Sequence, residues 1–393
     1  MKRRGVGIRG CGRAAALVVI ACCGIGVARA QAPSVGLDVL SPPQAVAGSD
    51  GETHLVYELR ITNTDDSRNV TPTEVVVSDP ATRRGYVGFE GTSIRERLRI
   101  PNQPLGQTYI PPGQWGAFFV HVSIPRDVPL PGTLQHLLGY WLGGTPDRVE
   151  IGGETKVNYA APVVFGPPLR GSGYIAGDGC CDAPRHVMAL LNVDGAWWNA
   201  QRYAIDWEQL DTQNRLWVPQ PGRGPTPQDF HIYGKDLLAV ADARVVAAVD
   251  GLPDQPPHHP DPVPEDQADG NHVILDVGGG VYVLYAHIAP HTVAVGEGQS
   301  VTKGQLLGKV GNSGHTLAPH LHLQAMDRPS SLAANGVPYV FERFQMTGFD
   351  PGGSPDFQDA ENDGTPATII PVSPPSAHAA QLPLNVTVVD WMN

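Results

Sequence analysis

The stretch GNSGHTLAPHLHLQ, residues 311–324, decides how this chain is read. The run Gly311-Asn312-Ser313-Gly314 is a turn signal, and behind it His320 and His322 stand two residues apart. In a strand, side chains at i and i+2 share a face. Both imidazoles then point one way, while Leu321 and Leu323 point the other, into a core. Two convergent neutral imidazoles are a common beginning of a zinc site. An HxH alone is also what a surface strand carries by chance, so its meaning depends on the rest of the chain.

The chain has 393 residues, of which 41% are hydrophobic, with 46 Gly and 38 Pro. That length suits two or three domains with ample core. Many turn formers, plentiful Val and few long amphipathic patterns predict a mostly β protein. Residues 1–30 read as a signal peptide: Lys2, Arg3, Arg4, Arg9 and Arg13 are the basic region, residues 14–21 the apolar core, and Ala28-Arg29-Ala30 the cleavage site. The apolar run is shorter than the roughly 20 residues of a membrane span, so no span is expected. Val19-Ile20-Ala21-Cys22 also resembles a lipobox, which makes a lipid anchor at Cys22 the alternative. Either way the chain is expected to be exported, periplasmic or secreted.

Six of the 27 basic residues and none of the 39 acidic ones lie in residues 1–30. The remainder carries 21 basic against 39 acidic residues, a formal charge of −18. Such a surface repels polyanions and argues against nucleic-acid binding. Cys11, Cys22 and Cys23 fall in the signal, leaving Cys180 and Cys181. In an exported chain these are expected to be oxidised, as a vicinal disulfide or a bridge between chains.

Residues 31–165 read as an immunoglobulin-like β-sandwich. Residues 54–61 alternate, with Leu55, Tyr57, Leu59 and Ile61 on one face, and residues 74–77, 117–124 and 134–142 are further strands separated by Pro/Gly turns. His54, His121 and His136 are scattered singly there and read as structural or exposed. Residues 166–200 read as a connector, residues 201–349 as a second β domain, and residues 350–393 as an extended or mobile Pro/Gly-rich tail with one last strand. Within the second domain, residues 237–249 read as two strands around a turn at Asp242-Ala243. Residues 271–277 and 281–287 read as a hairpin across three glycines. This half supplies His320, His322, His287 at a strand end, and Asp206 inside an apolar strand, where an acid is costly unless paired or metal-bound.

Three segments of this half share an order and spacing with a known family. They are YGKDLLAVADARVVAAVDG (233–251), GNHVILDVGGGVYVLYAHI (270–288) and VAVGEGQSVTKGQLLGKVGNSGHTLAPHLHLQ (293–324). Residues 201–349 thereby resemble the lysostaphin-type (LytM-like) zinc metalloendopeptidases, the peptidoglycan endopeptidase family. The resemblance implies a β-sheet peptidase core of the barrel-sandwich hybrid type, a Zn²⁺ cofactor, and a substrate among the cross-link or stem peptides of bacterial peptidoglycan. Position by position, it implies that Asp206 and His322 are zinc ligands, that His320 is the general base and that His287 steadies the oxyanion.

One position departs from the family pattern. The histidine expected four residues before Asp206 is Arg202, which has no lone pair to give a metal. His186 from the connector, or His231 from the inserted loop, then replaces it. Otherwise zinc is held weakly by Asp206 and His322 alone, or the site is degenerate, with Arg202 paired to Asp206. The predicted function is an exported zinc metalloendopeptidase with ligands Asp206, His322 and His186. The alternative is a non-catalytic cell-wall binding or amidase-regulating protein.

Overall fold

Alternation in the strands Ile205–Gln209 and Leu321–Met326 sets the architecture. Ile205, Trp207, Leu321, Leu323 and Ala325 turn to one face and pack with Val283 and Tyr285 in the main core. Asp206, Glu208, His322 and Gln324 take the opposite face, as a period of two requires. The computed structural model describes residues 34–392, so the signal peptide and lipobox readings lie outside the described residues.

The two strands pair antiparallel with Asp206 opposite His322. Tyr282–Ile288 lies on the other side of the His322 strand, with Ala286 opposite His322. Gly171–Gly177 lies on the other side of the Asp206 strand, with Gly177 opposite Asp206. The ladder extends to ten strands, from Ser300–Val301 at one edge to Ile370–His378 at the other, without closing into a barrel. A small sheet of Asp236–Leu238 and Leu306–Lys309 covers the core face. The buried Tyr285 hydroxyl bridges to it, accepting from the Val240 N–H at 2.8 Å and donating to the Leu238 carbonyl at 3.0 Å.

The protein is mostly β, as the composition implied, but several segments differ from their expected form. Residues 237–249 hold two strands, as read, but these do not pair with each other: Asp236–Leu238 joins the small sheet, and Ala243–Val249 joins the large one beside Asn271–Asp276. Leu237 and Val245 thus meet the same core from opposite sides. The expected connector supplies Gly171–Gly177 to the middle of the large sheet, its strand character hidden by three glycines. Gly177 is required there, because a Cβ would lie 2.7 Å from the Phe357 ring and 3.0 Å from the Asp206 carbonyl. The tail is also built in. Helix Gly353–Asp363 buries Phe357 and Ala360 against Ile175 and Val388, and Thr387–Trp391 pairs with Gly171–Gly177. Of the two cysteine pairings considered, the chain shows the vicinal disulfide Cys180–Cys181.

Residues 34–157 form two antiparallel sheets, centred on Glu52–Asn63 with Trp115–Pro125 and on Val70–Ser78 with Thr133–Leu142. Leu55, Tyr57 and Leu59 fill the core between them. His136 is structural: its Nε2 lies 2.8 Å from the Tyr57 hydroxyl, and burial pushes its pKa down to about 4. The other face of Glu52–Asn63 presents His54, Val56 and Glu58 to the large sheet, where Val56 enters the main core.

Glu58 meets Arg202 there. The guanidinium donates from Nε to Oε1 at 2.9 Å and from Nη2 to Oε2 at 2.8 Å, with both side chains buried. Arg202 Nη1 also donates to the Gly336 carbonyl at 2.9 Å, and Asn199 Nδ2 donates to Glu58 Oε1 at 2.9 Å. The degenerate reading in which Arg202 pairs with Asp206 is therefore overturned. Arg202 sits in a turn ahead of the strand, where the Ala204 N–H donates to the Gln201 carbonyl, and its side chain leaves the Asp206 face.

Removing one partner of a buried pair strands the other charge. We expect Glu58→Ala to lower unfolding free energy by about 3–5 kcal/mol, measured by denaturant titration. The double variant Glu58→Leu/Arg202→Met should recover most of that loss. A change under about 1 kcal/mol for Glu58→Ala would show that this pair does not hold the layers together.

Candidate active site

The Gly311-Asn312-Ser313-Gly314 run is a scaffold rather than a simple turn. A Cβ on Gly311 would collide with the Ala289 backbone, and Gly314 has φ of 87° and lies against Gly270. Asn312 Nδ2 donates to the Gln255 carbonyl at 2.8 Å, and Ser313 Oγ donates to the Ile288 carbonyl at 2.8 Å. This fixes the Ser313 carbonyl, which accepts from His287 Nδ1 at 2.8 Å.

His287 reaches the cleft through a bulge. The pairing of Asn271–Asp276 with Tyr282–Ile288 shifts register between Val273 and Asn271, and His287 has φ of 61°. Strict alternation after Tyr285 and Ala286 would send residue 287 back into the core. The extra residue re-aims it, and Ile288 returns to the core instead.

Of the two histidines considered as replacements, His186 is the one that the fold brings to Asp206. Pro184 opens the short helix Pro184–Val187, which places buried His186 against the sheet. Its Nε2 lies 3.3 Å from Asp206 Oδ2. His322 Nδ1 lies 2.8 Å and His320 Nε2 3.3 Å from Asp206 Oδ1. His186, Asp206 and His322 offer ligand atoms within 4.8 Å of one another, and His287, His320 and His322 do the same. His231, the other replacement considered, stands apart at 3.6 Å from Asp211.

The far nitrogen of each ring shows which lone pairs face inward. His186 Nδ1 donates to the Asp178 carbonyl at 2.9 Å, and His320 Nδ1 donates to the Ala318 carbonyl at 2.8 Å. His322 Nε2 lies 2.8 Å from Gln324 Oε1, which can only accept. A neutral imidazole that donates outward carries its lone pair on the inner nitrogen, the arrangement that holds a ligating histidine in place. Gln324 was readable from the i+2 rule in HLHLQ; the carbonyl partners were not.

Burial alone would raise the Asp206 pKa, but His186 and His320 hold it well below the carboxylate range. Burial would lower His320 and His322, and Asp206 overrides it and raises both. His287 is pushed well below its ordinary value, first by burial and then by His320 and His322. The five groups line a cleft of about 320 Å³, with exposed His315 at its edge. Two imidazole nitrogens and a carboxylate oxygen, with a side left open to the cleft, suit a tetrahedral ion that keeps one position for water or substrate. The residues present therefore fit zinc.

Residues 229–334 match Peptidase family M23. Over that segment the family resemblance read from the sequence is borne out. The matched segment includes His287, His320 and His322, while Asp206, Arg202 and His186 precede it. Over 196 residues the chain is 25% identical to peptidoglycan DD-endopeptidase ShyA of Vibrio cholerae, covering 46% of this chain and 43% of that relative's length. Among solved structures, the catalytic domain of lysostaphin from Staphylococcus simulans is 26% identical, covering 30% of this chain and 88% of that one, with a TM-score of 0.20. A putative M23 peptidase from Pseudomonas aeruginosa is 15% identical, covering 65% and 86% with a TM-score of 0.22.

Beside the cleft, Glu208 and Glu361 are buried close to one another. Burial and their mutual repulsion raise Glu208, and burial raises Glu361 to about 7. A carboxyl whose folded pKa lies above its unfolded value holds the protein back as pH rises between the two. Glu361→Gln should therefore stabilise the protein at pH 8 by on the order of 1–3 kcal/mol and leave it unchanged at pH 4. Unfolding titrations at the two pH values test this. Arg202→His should not tighten zinc binding in a chelator competition, because that side chain faces Glu58, whereas His186→Ala should weaken it by at least about tenfold.

Proposed function

We propose that the chain is an exported zinc metalloendopeptidase that hydrolyses peptide bonds in bacterial peptidoglycan. The convergence of His186, Asp206 and His322 with His287 and His320 on one cleft carries this reading. The M23 match and the likeness to a peptidoglycan DD-endopeptidase support the reaction and the substrate class. His186 takes the ligand role that Arg202 vacates.

Zinc bound by these three residues would supply Lewis acidity toward a scissile carbonyl and a water. The chain's own groups handle the protons. His287 donates from Nδ1 to Ser313 and is held neutral, so its Nε2 is an acceptor aimed into the cleft. It takes the proton of the attacking water. His320 donates from Nδ1 to Ala318 and is raised by Asp206, so it takes up a second proton on Nε2 more readily than His287 does, and in that form donates toward the developing oxyanion. This division of labour reverses the one that the resemblance implied.

Zinc content and release of soluble peptides from purified cell-wall sacculi test the proposal together. His186→Ala and His322→Ala should lose both. His287→Ala and His320→Ala should keep zinc and lose about 10²–10⁴ in kcat. Absence of zinc under zinc-replete conditions would end the hydrolase reading. Full zinc occupancy without cleavage of sacculi or peptides would favour the cell-wall binding alternative.

A further inference from the structure

Two of the three histidines of the N-terminal module that looked solitary are brought together at the boundary between the layers. His54 and His121 project from neighbouring strands of the outward sheet face, with His54 Nδ1 2.9 Å from His121 Nε2. Behind them, His54 Nε2 lies 3.0 Å from Asp50 Oδ1, and His121 Nδ1 lies 2.9 Å from Asp182 Oδ2. Asp182 also binds Arg97 Nη2 at 2.5 Å. Gly48 gives the His54 ring its place, since a Cβ there would collide with Nε2.

The hydrogens do not balance. An ionised carboxylate only accepts, and both acids are held below the usual carboxylate range. Burial would raise them, but the imidazole bonds, with Arg97 beside Asp182, outweigh it. His54 Nε2 and His121 Nδ1 must therefore carry the N–H groups. The facing pair, His54 Nδ1 and His121 Nε2, is then left with two lone pairs 2.9 Å apart. A cation must lie between them, either a shared proton or a metal ion. Two carboxylate–histidine pairs aimed at one point are also the outer shell that metal-ligating histidines have. A third donor is in place: Cys181 Sγ lies within 4.8 Å of a ring nitrogen of each histidine. It is tied to Cys180 in the disulfide, and a disulfide sulfur, unlike a thiolate, is a poor ligand.

We propose that His54, His121 and Cys181 form a second metal site, outside the cleft, that takes a borderline divalent ion such as Zn²⁺ when the Cys180–Cys181 bridge is reduced. A dithiol or phosphine reductant supplies two electrons. The S–S bond opens to two thiols, either as a dithiol gives up its two hydrogens and closes to its own disulfide, or as a phosphine becomes its oxide with water supplying the oxygen and both protons. On metal binding the Cys181 thiol loses its proton and the proton between the rings leaves. The ion then accepts one sulfur and two nitrogen lone pairs, leaving a fourth position for solvent beside half-exposed Asp182. In the oxidised chain the gap holds the proton. The site uses no cleft residue, so it stands whether or not the peptidase reading does. It would bind the sandwich to the loop that carries His186, five residues after Cys181.

The full chain is treated with a phosphine, freed of reductant without oxygen, and titrated with Co²⁺. Reduced wild type should take up about one more equivalent than the oxidised chain and develop a thiolate-to-cobalt charge-transfer band in the near ultraviolet. Cys180→Ser leaves the Cys181 thiol free and should show the band without reductant, and adding His54→Gln and His121→Gln to it should remove the band. Cys181→Ser, and His54→Gln with His121→Gln, should abolish it while circular dichroism stays unchanged. Equal uptake with no band in reduced wild type and Cys180→Ser overturns the proposal. So does a band that survives the double histidine variant, since the thiol alone would then be binding cobalt.

Discussion

The bidentate contact between Arg202 and Glu58 is the constraint on which the arrangement of the active cleft depends. A buried ion pair is weak evidence of net stability, because desolvation of both charges offsets their attraction. Its geometric consequence is larger. Glu58 accepts three hydrogen bonds, from Arg202 Nε and Nη2 and from Asn199 Nδ2, so the carboxylate admits few other positions. The same Asn199 amide donates to the Val187 carbonyl at 2.8 Å, one residue beyond His186. The contact that docks the sandwich on the large sheet thus also steadies the helix that presents His186. An arginine stands where the family pattern has a ligand because that position is occupied with joining the layers. The same joint holds in place the segment that brings His186 Nε2 to 3.3 Å from Asp206 Oδ2.

What could be read from sequence was whatever lay within one strand or one turn. The period of two in residues 320–324 placed both imidazoles on one face, and the glycine hairpin placed His287 at a strand end. Asp206 was conspicuous as the acid in an apolar strand. None of these depends on distant residues. The partner of Arg202 is 144 positions away, and only the fold determines that it is Glu58 rather than nearby Asp206. A pairing of Arg202 with Asp206 along one strand would need that strand to reach back to residue 202, whereas it begins at Ile205. His186 could be suspected by elimination but not placed, since its segment looked like a linker. One of the glycines that gave that impression, Gly177, admits Phe357, which comes from a helix nearly two hundred residues away.

Asp206 explains why the cleft is a place for chemistry rather than a structural polar cluster. A buried carboxylate needs compensation, and three imidazole nitrogens lie within 3.3 Å of its two oxygens. Here the outer nitrogens are tied to two backbone carbonyls and one amide oxygen, and the inner ones meet only each other and the carboxylate. The excess of electron pairs facing inward leaves room for a positive charge, as protons when the site is bare and as a metal ion when one is supplied. His287 completes the asymmetry. It is the one ring of the four outside hydrogen-bond range of Asp206 among the contacts of the cluster, and its neighbours depress its pKa where Asp206 raises those of His320 and His322. A site that must both accept and give a proton needs imidazoles pushed in opposite directions. The bulge that turns His287 out of the core provides the group that Asp206 does not hold.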